Sequence, residues 1–265
     1  MSEAVARFVA LVRGPEPPLD EAALALAAGA DPDLDPAPWL AELDRLAAGV
    51  DSLPALIRRL FVEEGFTGNS VDYADPRNSL LPEVLTRRTG IPITLAIVYL
   101  EVAGRAGVSA SPVGFPGHFL VCLDIHAERL AIDPFDSGTV LDDRGLAVLL
   151  RRSGSQLSYA PELIAATPVR QVLARMLMNL RSIYAQRGEL SRLLVVFDRL
   201  IDLLPGAAEE RRDRGLLFGR LGAPDAALAD LERYLELAPE AADAAQVRQW
   251  LLQMQRASQG GSVRS

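Results

Sequence analysis

The residues of this sequence with the clearest potential for chemistry are a histidine and an aspartate. His118 follows the pair Pro116-Gly117, and Asp133 stands 15 residues further on, directly before Pro134. An imidazole can take a proton from a hydroxyl, a thiol or water, and a carboxylate bonded to the ring fixes its orientation. We therefore expect Asp133 to orient the His118 ring, whatever the role of the imidazole.

The stretch between these two residues predicts the element that positions them. Apolar residues alternate with others from Phe119 to Leu123, and the alternation resumes after a polar turn around His126. A period of two is typical of β-strands, so we expect an antiparallel hairpin that closes at Asp133. On this hairpin His118 and Asp133 lie on adjacent strands, within hydrogen-bond distance of each other.

Helices and one long loop precede the hairpin. Segment 19–64 is predicted to be a helical lead-in, and further helices are expected over 80–89 and 92–107. The last of these has proline in its first turn and glycine just past its end, as helix termini prefer. Loop 65–79 is rich in glycine, asparagine and aspartate. Because long structured loops often carry sites, we expect it to form a wall beside His118.

Five short motifs carry a resemblance to a known family. In chain order they are Gly65-Phe66-Thr67-Gly68-Asn69, Asn78-Ser79, Arg87-Arg88-Thr89-Gly90-Ile91-Pro92-Ile93, Pro116-Gly117-His118-Phe119 and Asp133-Pro134-Phe135. Through these motifs the chain resembles bacterial transglutaminase-like proteins with C-terminal tetratricopeptide repeats, a group that includes an invasion-gene regulator of the Sir type in enteric bacteria. The resemblance covers residues 20–255 approximately.

The resemblance also implies where a nucleophile should stand. Transglutaminase-like cores have the motif Gly-x-Cys-x-x-aromatic-Ala at the start of a helix, where the helix dipole and a nearby imidazolium lower the thiol pKa. Gly90 and Ala96 align with the ends of this motif, which places Pro92 at the cysteine position. Since His118 and Asp133 match the family's base and acid, the resemblance implies a remnant dyad without its nucleophile.

Two other side chains could replace the missing cysteine. Thr94 follows Pro92 by two residues, about 200° around the helix, so its hydroxyl should point away from the face that Pro92 presents. Cys122 is the only cysteine and lies about 13 Å along the strand from His118. We interpret Thr94 as a first-turn helix residue and Cys122 as a buried structural thiol.

Five residues near the dyad are candidate binding residues, namely Asn78, Arg88, Pro92, Thr94 and Phe119. Arginine suits a carboxylate because its guanidinium binds in a bidentate manner. We interpret Arg87 as solvated and expect Arg88 to pair with Asp75 or Asp133. Only two side chains of metal-binding type converge there, and His126 sits in the hairpin turn, so we expect no metal site. We expect no cofactor.

The C-terminal part contains an internal repeat. The pairs found 34 positions apart are Tyr184 and Phe218, Gly188 and Gly222, Leu194 and Leu228, and Pro205 and Pro239. This spacing is typical of a tetratricopeptide helix pair, with Gly215 and Ala227 as its small residues and 243–257 as a capping helix. The run Arg211-Arg212-Asp213-Arg214 is interpreted as a solvated or ion-paired face, with an anchor for an acidic peptide as the alternative.

Composition limits the classes of function. A net charge of -8 argues against nucleic acid as a partner, because such binding depends on clustered Lys and Arg. One cysteine cannot form an internal disulfide, which favours a reducing compartment. No stretch approaches the ~18–20 apolar residues of a membrane span. We expect a cytoplasmic protein that binds neither nucleic acid nor a membrane.

Together these features predict an α+β fold. A helical lead-in and a transglutaminase-like, papain-type core with a small antiparallel sheet should occupy residues 1–166, an all-α tetratricopeptide-like unit 167–258, and a disordered tail 259–265. The predicted function is that of a non-catalytic pseudoenzyme that binds a protein or peptide partner or regulates it. The alternative is a cysteine-independent hydrolase or acyl transferase that uses His118 and Asp133.

Overall fold

The computed structural model of the chain describes residues 3–125 and 128–261, which fall into two units. The first unit ends at Ile183 and contains helices and all the described strands, and the second begins at Tyr184 and is helical. This is the α+β architecture that the sequence predicts. The division lies within a helix and comes later in the chain than the domain boundary predicted between residues 166 and 167.

The lead-in is helical, as expected. Its elements are α1 (Glu3–Val12), α2 (Leu19–Ala27), α3 (Ala37–Ala47), α4 (Leu53–Ile57) and a π-helical segment (Arg58–Glu63) that continues α4. The Ser52 hydroxyl caps α4 by accepting a hydrogen bond from the Ala55 amide. Leu43 and Leu46 of α3 are fully buried and belong to the core.

A short parallel strand pair leads into the central helix. Strand β1 (Thr67–Gly68) pairs with β2 (Thr89–Gly90), and helix α5 (Leu81–Arg87) lies between them in the chain. Helix α6 (Pro92–Arg105) begins directly after β2, with proline at its first position, where a missing N–H costs nothing.

The main sheet has four antiparallel strands in the order β3 (Ser111–Val113), β4 (Leu120–Ile125), β5 (Glu128–Asp133) and β6 (Thr139–Leu141). The predicted hairpin is β4–β5, in which Val121 pairs with Ile132. His126, expected in its turn, lies outside the described residues. Leu120 and Cys122 share a buried cluster with Leu146 and Leu150 of helix α7 (Asp143–Arg152), so α7 covers one sheet face.

The C-terminal elements are the helices α8 (Val169–Arg187), α9 (Leu190–Leu203), α10 (Ala208–Arg220), α11 (Pro224–Leu237) and α12 (Ala244–Gly261). Gly215 and Ala227, the predicted small residues, are buried, and α10 packs against α11. Helix α12 continues past residue 259, where the tail was expected to start, and positions 262–265 are not among the described residues. No helix in the described part of the chain is both long and apolar enough to span a membrane.

Candidate functional site

His118 and Asp133 are in direct contact. The Nε2 atom of His118 lies 2.9 Å from each carboxylate oxygen of Asp133, and the two side chains are 11% and 6% exposed. A carboxylate can only accept, so Nε2 carries a proton and, in a neutral ring, Nδ1 is the basic nitrogen. The predicted hydrogen bond is confirmed. Nδ1 has no hydrogen-bond partner among the residues that the structure describes.

The position of His118 differs from the expected one, because it precedes strand β4 and does not lie on it. Its amide donates to the Phe115 carbonyl at 3.0 Å and closes a turn through Pro116 and Gly117. Proline has no N–H to donate to a sheet, and Gly117 has φ +67, which favours glycine. The turn therefore delays the strand until Leu120, and the prediction of two adjacent strand positions was wrong for His118.

Asp133 ends β5 and is held by the chain that follows it. Its Oδ1 accepts hydrogen bonds from the amides of Phe135 at 3.0 Å and Asp136 at 3.3 Å. The carboxylate is thereby the N-cap of a 3-10 turn (Pro134–Asp136), with proline at the first position. The Asp-Pro-Phe motif thus fixes the carboxylate independently of His118.

Phe135 joins the predicted loop to the dyad. Its ring meets that of His118 edge-on at 5.9 Å between centroids and that of Tyr73 at 6.3 Å. A Cβ atom on Gly68 would lie 2.5 Å from Phe135 Cε2, so only glycine lets β1 approach the ring. Loop 65–79 therefore reaches the dyad through an aromatic contact.

A cavity of about 680 Å³ adjoins the dyad. His118, Asp133 and Phe135 form one side, and Gly68 and Ser70 bring the predicted loop to its edge. Helix α7 contributes Arg144, Gly145, Val148, Leu149 and Arg152 to the lining. The dyad thus lies beside a space large enough for part of a peptide, with apolar and cationic side chains facing it.

The sequence matches the models of two known families, which together cover most of the two units. Residues 22–178, more than half of the chain, match the sequence model of the transglutaminase-like superfamily. The chain belongs to the transglutaminase-like superfamily. Residues 180–251 match the tetratricopeptide repeat, which confirms the predicted combination of a transglutaminase-like domain with C-terminal repeats.

Several bacterial proteins are similar over most of their length. A UPF0162 protein of Xylella fastidiosa strain Temecula1 is 38% identical over 80% of this chain and 77% of its own. A UPF0162 protein of Pseudomonas aeruginosa is 34% identical over 85% of this chain and 87% of its own. Protein SirB1 of Salmonella typhimurium is 28% identical over 75% and 74%. No solved structure matches the chain.

Pro92 begins α6 of the transglutaminase-like domain and is buried. The preceding strand β2 pairs with β1, whose Gly68 packs on Phe135, and α6 also contacts the Pro134–Asp136 turn. These contacts link the start of α6 to the dyad, although Pro92 is not among the residues that line the cavity. A proline ring offers no group that could attack a substrate.

Asn78 and Thr94, both predicted binding residues, are fully buried and bonded to each other. The Thr94 hydroxyl donates to the Asn78 carbonyl at 2.7 Å and accepts from the Ile91 amide at 3.1 Å. Asn78 Oδ1 accepts from Asn69, and its Nδ2 donates to the Asp72 carbonyl at 2.8 Å. Their polar groups hold the loop onto α6, and neither residue lines the cavity.

The two arginines before β2 have partners other than the expected ones. Arg88 pairs with Glu42 and with Glu64, the latter at 3.0 Å, and not with Asp75 or Asp133. Arg87, which was expected to be solvated, is 24% exposed and lies 3.6 Å from Asp75. The chain turns at Arg88, which has φ 54 at the end of α5, so neighbouring side chains leave in different directions.

The remaining predicted residues are part of the core. Phe119 is 1% exposed, and the Arg175 guanidinium lies 5.4 Å from its ring centroid. Cys122 is buried, as predicted, and burial raises the pKa of its thiol. Within residues 3–125 and 128–261, no three side chains of His, Cys, Asp or Glu gather as a metal site would require.

Sequence reasoning missed the side of the cavity formed by α7. Asp142 caps this helix by accepting from the Gly145 amide at 2.7 Å, and the helix presents Arg144, Val148 and Arg152 at four-residue intervals. An aspartate before a run with this periodicity is a recognisable helix start. Ser70 was also missed, since its place at the cavity depends on the fold of the whole loop.

Proposed function

We propose that this chain is a non-catalytic binding or regulatory protein whose transglutaminase-like domain has kept the dyad but lost the nucleophile. The observation that carries the proposal is Pro92 at the first position of α6, where the superfamily places its cysteine. His118 and Asp133 form the hydrogen bond of a working pair, yet no thioester can form at a proline. The site is then a preserved cleft and not a reaction centre.

The other cysteine does not repair this loss. Cys122 lies in β4 with 1% exposure and shares the α7-side core with Leu146 and Leu150. Because burial raises the pKa of its thiol, the reactive thiolate is disfavoured at neutral pH. A cysteine in this position has a packing role.

The repeats support a binding role, since tetratricopeptide units serve mainly as protein-interaction surfaces. The run 211–214 is not available for an acidic partner, because its charges are already paired. Arg214 binds Asp230 in a bidentate manner at 2.6 and 2.7 Å, and Arg212 lies 2.8 Å from Asp243. The ion-paired interpretation of this run is thus supported over that of a peptide anchor.

A second candidate function is a hydrolase that uses water or a hydroxyl in place of a thiol. One observation favours it: the dyad is intact and borders the cavity, at whose edge Ser70 is exposed. In this alternative His118 Nδ1 would accept the proton of the attacking group.

Activity measurements distinguish the two candidates. The full-length protein, His118→Ala and Asp133→Asn are compared in acyl-transfer assays with glutamine-containing peptides and in ester hydrolysis assays. We expect the same background rate for all three, because loss of one triad member typically costs several orders of magnitude in rate. Turnover that requires His118 but survives alkylation of Cys122 would establish the hydrolase and overturn the proposal.

A gain-of-function variant tests the geometry. Pro92→Cys returns a thiol to the start of α6, and we expect a trace of thioester formation that disappears in the double variant with His118→Ala. Pro92→Ala is the matched control, since it also removes the proline ring from the start of α6 but adds no nucleophile. Thioester formation that is indifferent to His118 would show that the dyad does not serve this position.

A further inference from the structure

We propose that the groove between α7 and the dyad binds an extended acidic peptide segment with two carboxylates on either side of an apolar residue. This rests on the proposed function of the chain as a binding protein and names the chemistry of its partner. The recognising face is Arg144, Val148 and Arg152, three residues at successive four-residue steps along α7. We call this face the α7 stripe.

The two arginines of the α7 stripe lack the carboxylate partners that several buried or half-buried arginines of this chain have. Arg45, Arg88 and Arg105 each contact two or more carboxylates. Arg144 and Arg152 are exposed and form no ion pair or hydrogen bond with any residue that the structure describes. In a chain with 35 acidic residues, two unpaired guanidiniums on one cavity point to a carboxylate from outside.

Three carboxylates line the cavity, those of Asp133, Asp136 and Asp142, and none of them forms an ion pair with Arg144 or Arg152 in the described part of the chain. Asp133 is bonded to His118 and to two backbone amides. Asp142 is the N-cap of α7 and accepts from the Gly145 amide. Asp133 and Asp142 therefore have partners of their own, and of the carboxylates that line the cavity only that of Asp136 remains to offset the two guanidiniums of the α7 stripe.

The spacing of the α7 stripe matches an extended peptide. Four residues of helix rise about 6 Å, so Arg144, Val148 and Arg152 follow one another at steps of about 6 Å. Alternate residues of a strand share one face and lie about 6.6 Å apart. An acidic, an apolar and a second acidic residue at positions i, i+2 and i+4 of the partner can thus meet the three in register.

The apolar part of the groove suits the middle residue of such a segment. Val148 lies between the two arginines, with Leu149 beside it on α7 and with Leu141 and Phe135 also lining the cavity. Gly145 also lines the cavity, and a Cβ there would lie 3.1 Å from Leu141 Cδ2, so Leu141 packs closely against α7 at that point. A peptide side chain of the size of leucine would then be enclosed between two ion pairs.

Binding to the full-length protein tests this inference. The probe is a fluorescein-labelled nonapeptide with glutamate, leucine and glutamate at alternating positions, followed by fluorescence anisotropy at low salt. Arg152→Glu is compared with Arg151→Glu, its exposed neighbour in the last turn of α7, which makes the same charge change outside the cavity lining. Thermal unfolding of both variants checks that they fold as the wild type does.

We expect Arg144→Glu or Arg152→Glu to weaken binding about tenfold or more and Arg151→Glu to leave it nearly unchanged. A probe with lysines in place of glutamates should bind only the double variant Arg144→Glu/Arg152→Glu. Moving the second glutamate by one position should weaken binding to the wild type. These results together would support the inference.

Equal losses in Arg151→Glu and Arg152→Glu would overturn it, because they would indicate non-specific attraction to a basic helix end. No binding of the probe would also overturn it, while leaving the lack of turnover, and hence the proposed function, intact. Cleavage or acyl transfer of the bound probe that depends on His118 would instead overturn the proposed function. Indifference to glutamate spacing would overturn the extended register.

Discussion

At the scale of residues, the hydrogen bond between His118 and Asp133 could be predicted from the sequence, whereas the contacts of most other candidate site residues could not. His118 and Asp133 were expected from their types and separation, and the structure joins them at 2.9 Å. The predicted binding residues Asn78 and Thr94 belong to, or lie next to, the motifs of the family resemblance. Both side chains are hydrogen-bonded in the interior, Thr94 to the Asn78 carbonyl and the Asn78 amide to the Asp72 carbonyl. No pattern of single residues distinguishes such a structural role from a role in binding.

Gly68 tests how tightly the loop is fitted to the dyad. We expect Gly68→Ala to lower the free energy of unfolding by ~1–3 kcal/mol, because its Cβ would overlap the Phe135 ring and the ring would have to move. The His118 ring contacts Phe135, so its NMR signals should shift as well. Denaturant unfolding measures the first effect.

Gly104→Ala is the matched control for this experiment. A Cβ at Gly104, within α6, meets no atom within 4 Å, so alanine should be neutral or stabilise by ~0.5–1 kcal/mol. If Gly68→Ala were as stable as Gly104→Ala, the close approach of β1 to Phe135 would not hold in solution.

Cys122 should be inert in the folded protein. Burial restricts access of reagents and raises the pKa of the thiol, so we expect negligible reaction with Ellman's reagent at pH 8 and one equivalent after unfolding in guanidinium. Ser70→Cys, exposed at the cavity edge, provides a second thiol that should react at once in the folded state. Rapid reaction of Cys122 in the native wild type would contradict its assignment to the core.

At the scale of elements, local periodicity predicted most of the secondary structure, and tertiary contacts decided the rest. The β4–β5 hairpin and the repeat helices follow from patterns with periods of two and 34 residues. The partners of Arg88 could not be predicted, because they come from α3 and the end of the π-helical segment, far away in the chain. The left-handed conformation at Arg88, unusual for a residue other than glycine, also has no signature in its sequence.

The ion-pair cluster of Glu42, Arg45, Glu64 and Arg88 should make stability depend on pH. The hydrogen bond from Arg45, with help from Arg88, lowers the pKa of Glu42 to about 2, and Arg45 likewise lowers that of Glu64. A carboxylate with a lowered pKa stabilises the fold above its unfolded value of 4.5 and loses this contribution as pH falls through the folded value. We expect the wild type to lose stability steadily from pH 4.5 to pH 2.

Glu42→Gln should flatten this dependence and lower stability at pH 7, because the titrating partner is gone while the arginines remain. Chemical unfolding at several pH values measures both effects. Glu16→Gln, an exposed residue between α1 and α2, is the control and should leave the pH profile unchanged. If the free energy of unfolding of Glu42→Gln depended on pH as steeply as that of the wild type, other carboxylates would govern unfolding in acid.

At the scale of the whole chain, the first unit of the structure extends beyond the predicted end of the transglutaminase-like domain. The predicted boundary follows residue 166, whereas the first unit ends at Ile183, within α8. The first turns of α8 explain this. Arg170 donates to the carbonyls of Val12 and Gly14 at 2.6 Å, and Arg175 donates to the Phe115 carbonyl at 3.2 Å.

These contacts predict that the domain needs α8. The Phe115 carbonyl accepts hydrogen bonds from both Arg175 and the His118 amide, so α8 stabilises the turn that carries His118. We expect a chain that ends at residue 166 to lose cooperative thermal unfolding. Four side chains of α8, at positions 172, 173, 176 and 177, are at most 1% exposed. Losing their burial would cost on the order of 6–12 kcal/mol, which is comparable with the free energy of unfolding of a whole domain.

A chain that ends at residue 187 keeps this helix and should unfold cooperatively. If the shorter chain melts as sharply as the longer one, α8 belongs to the repeats alone, and the original boundary stands.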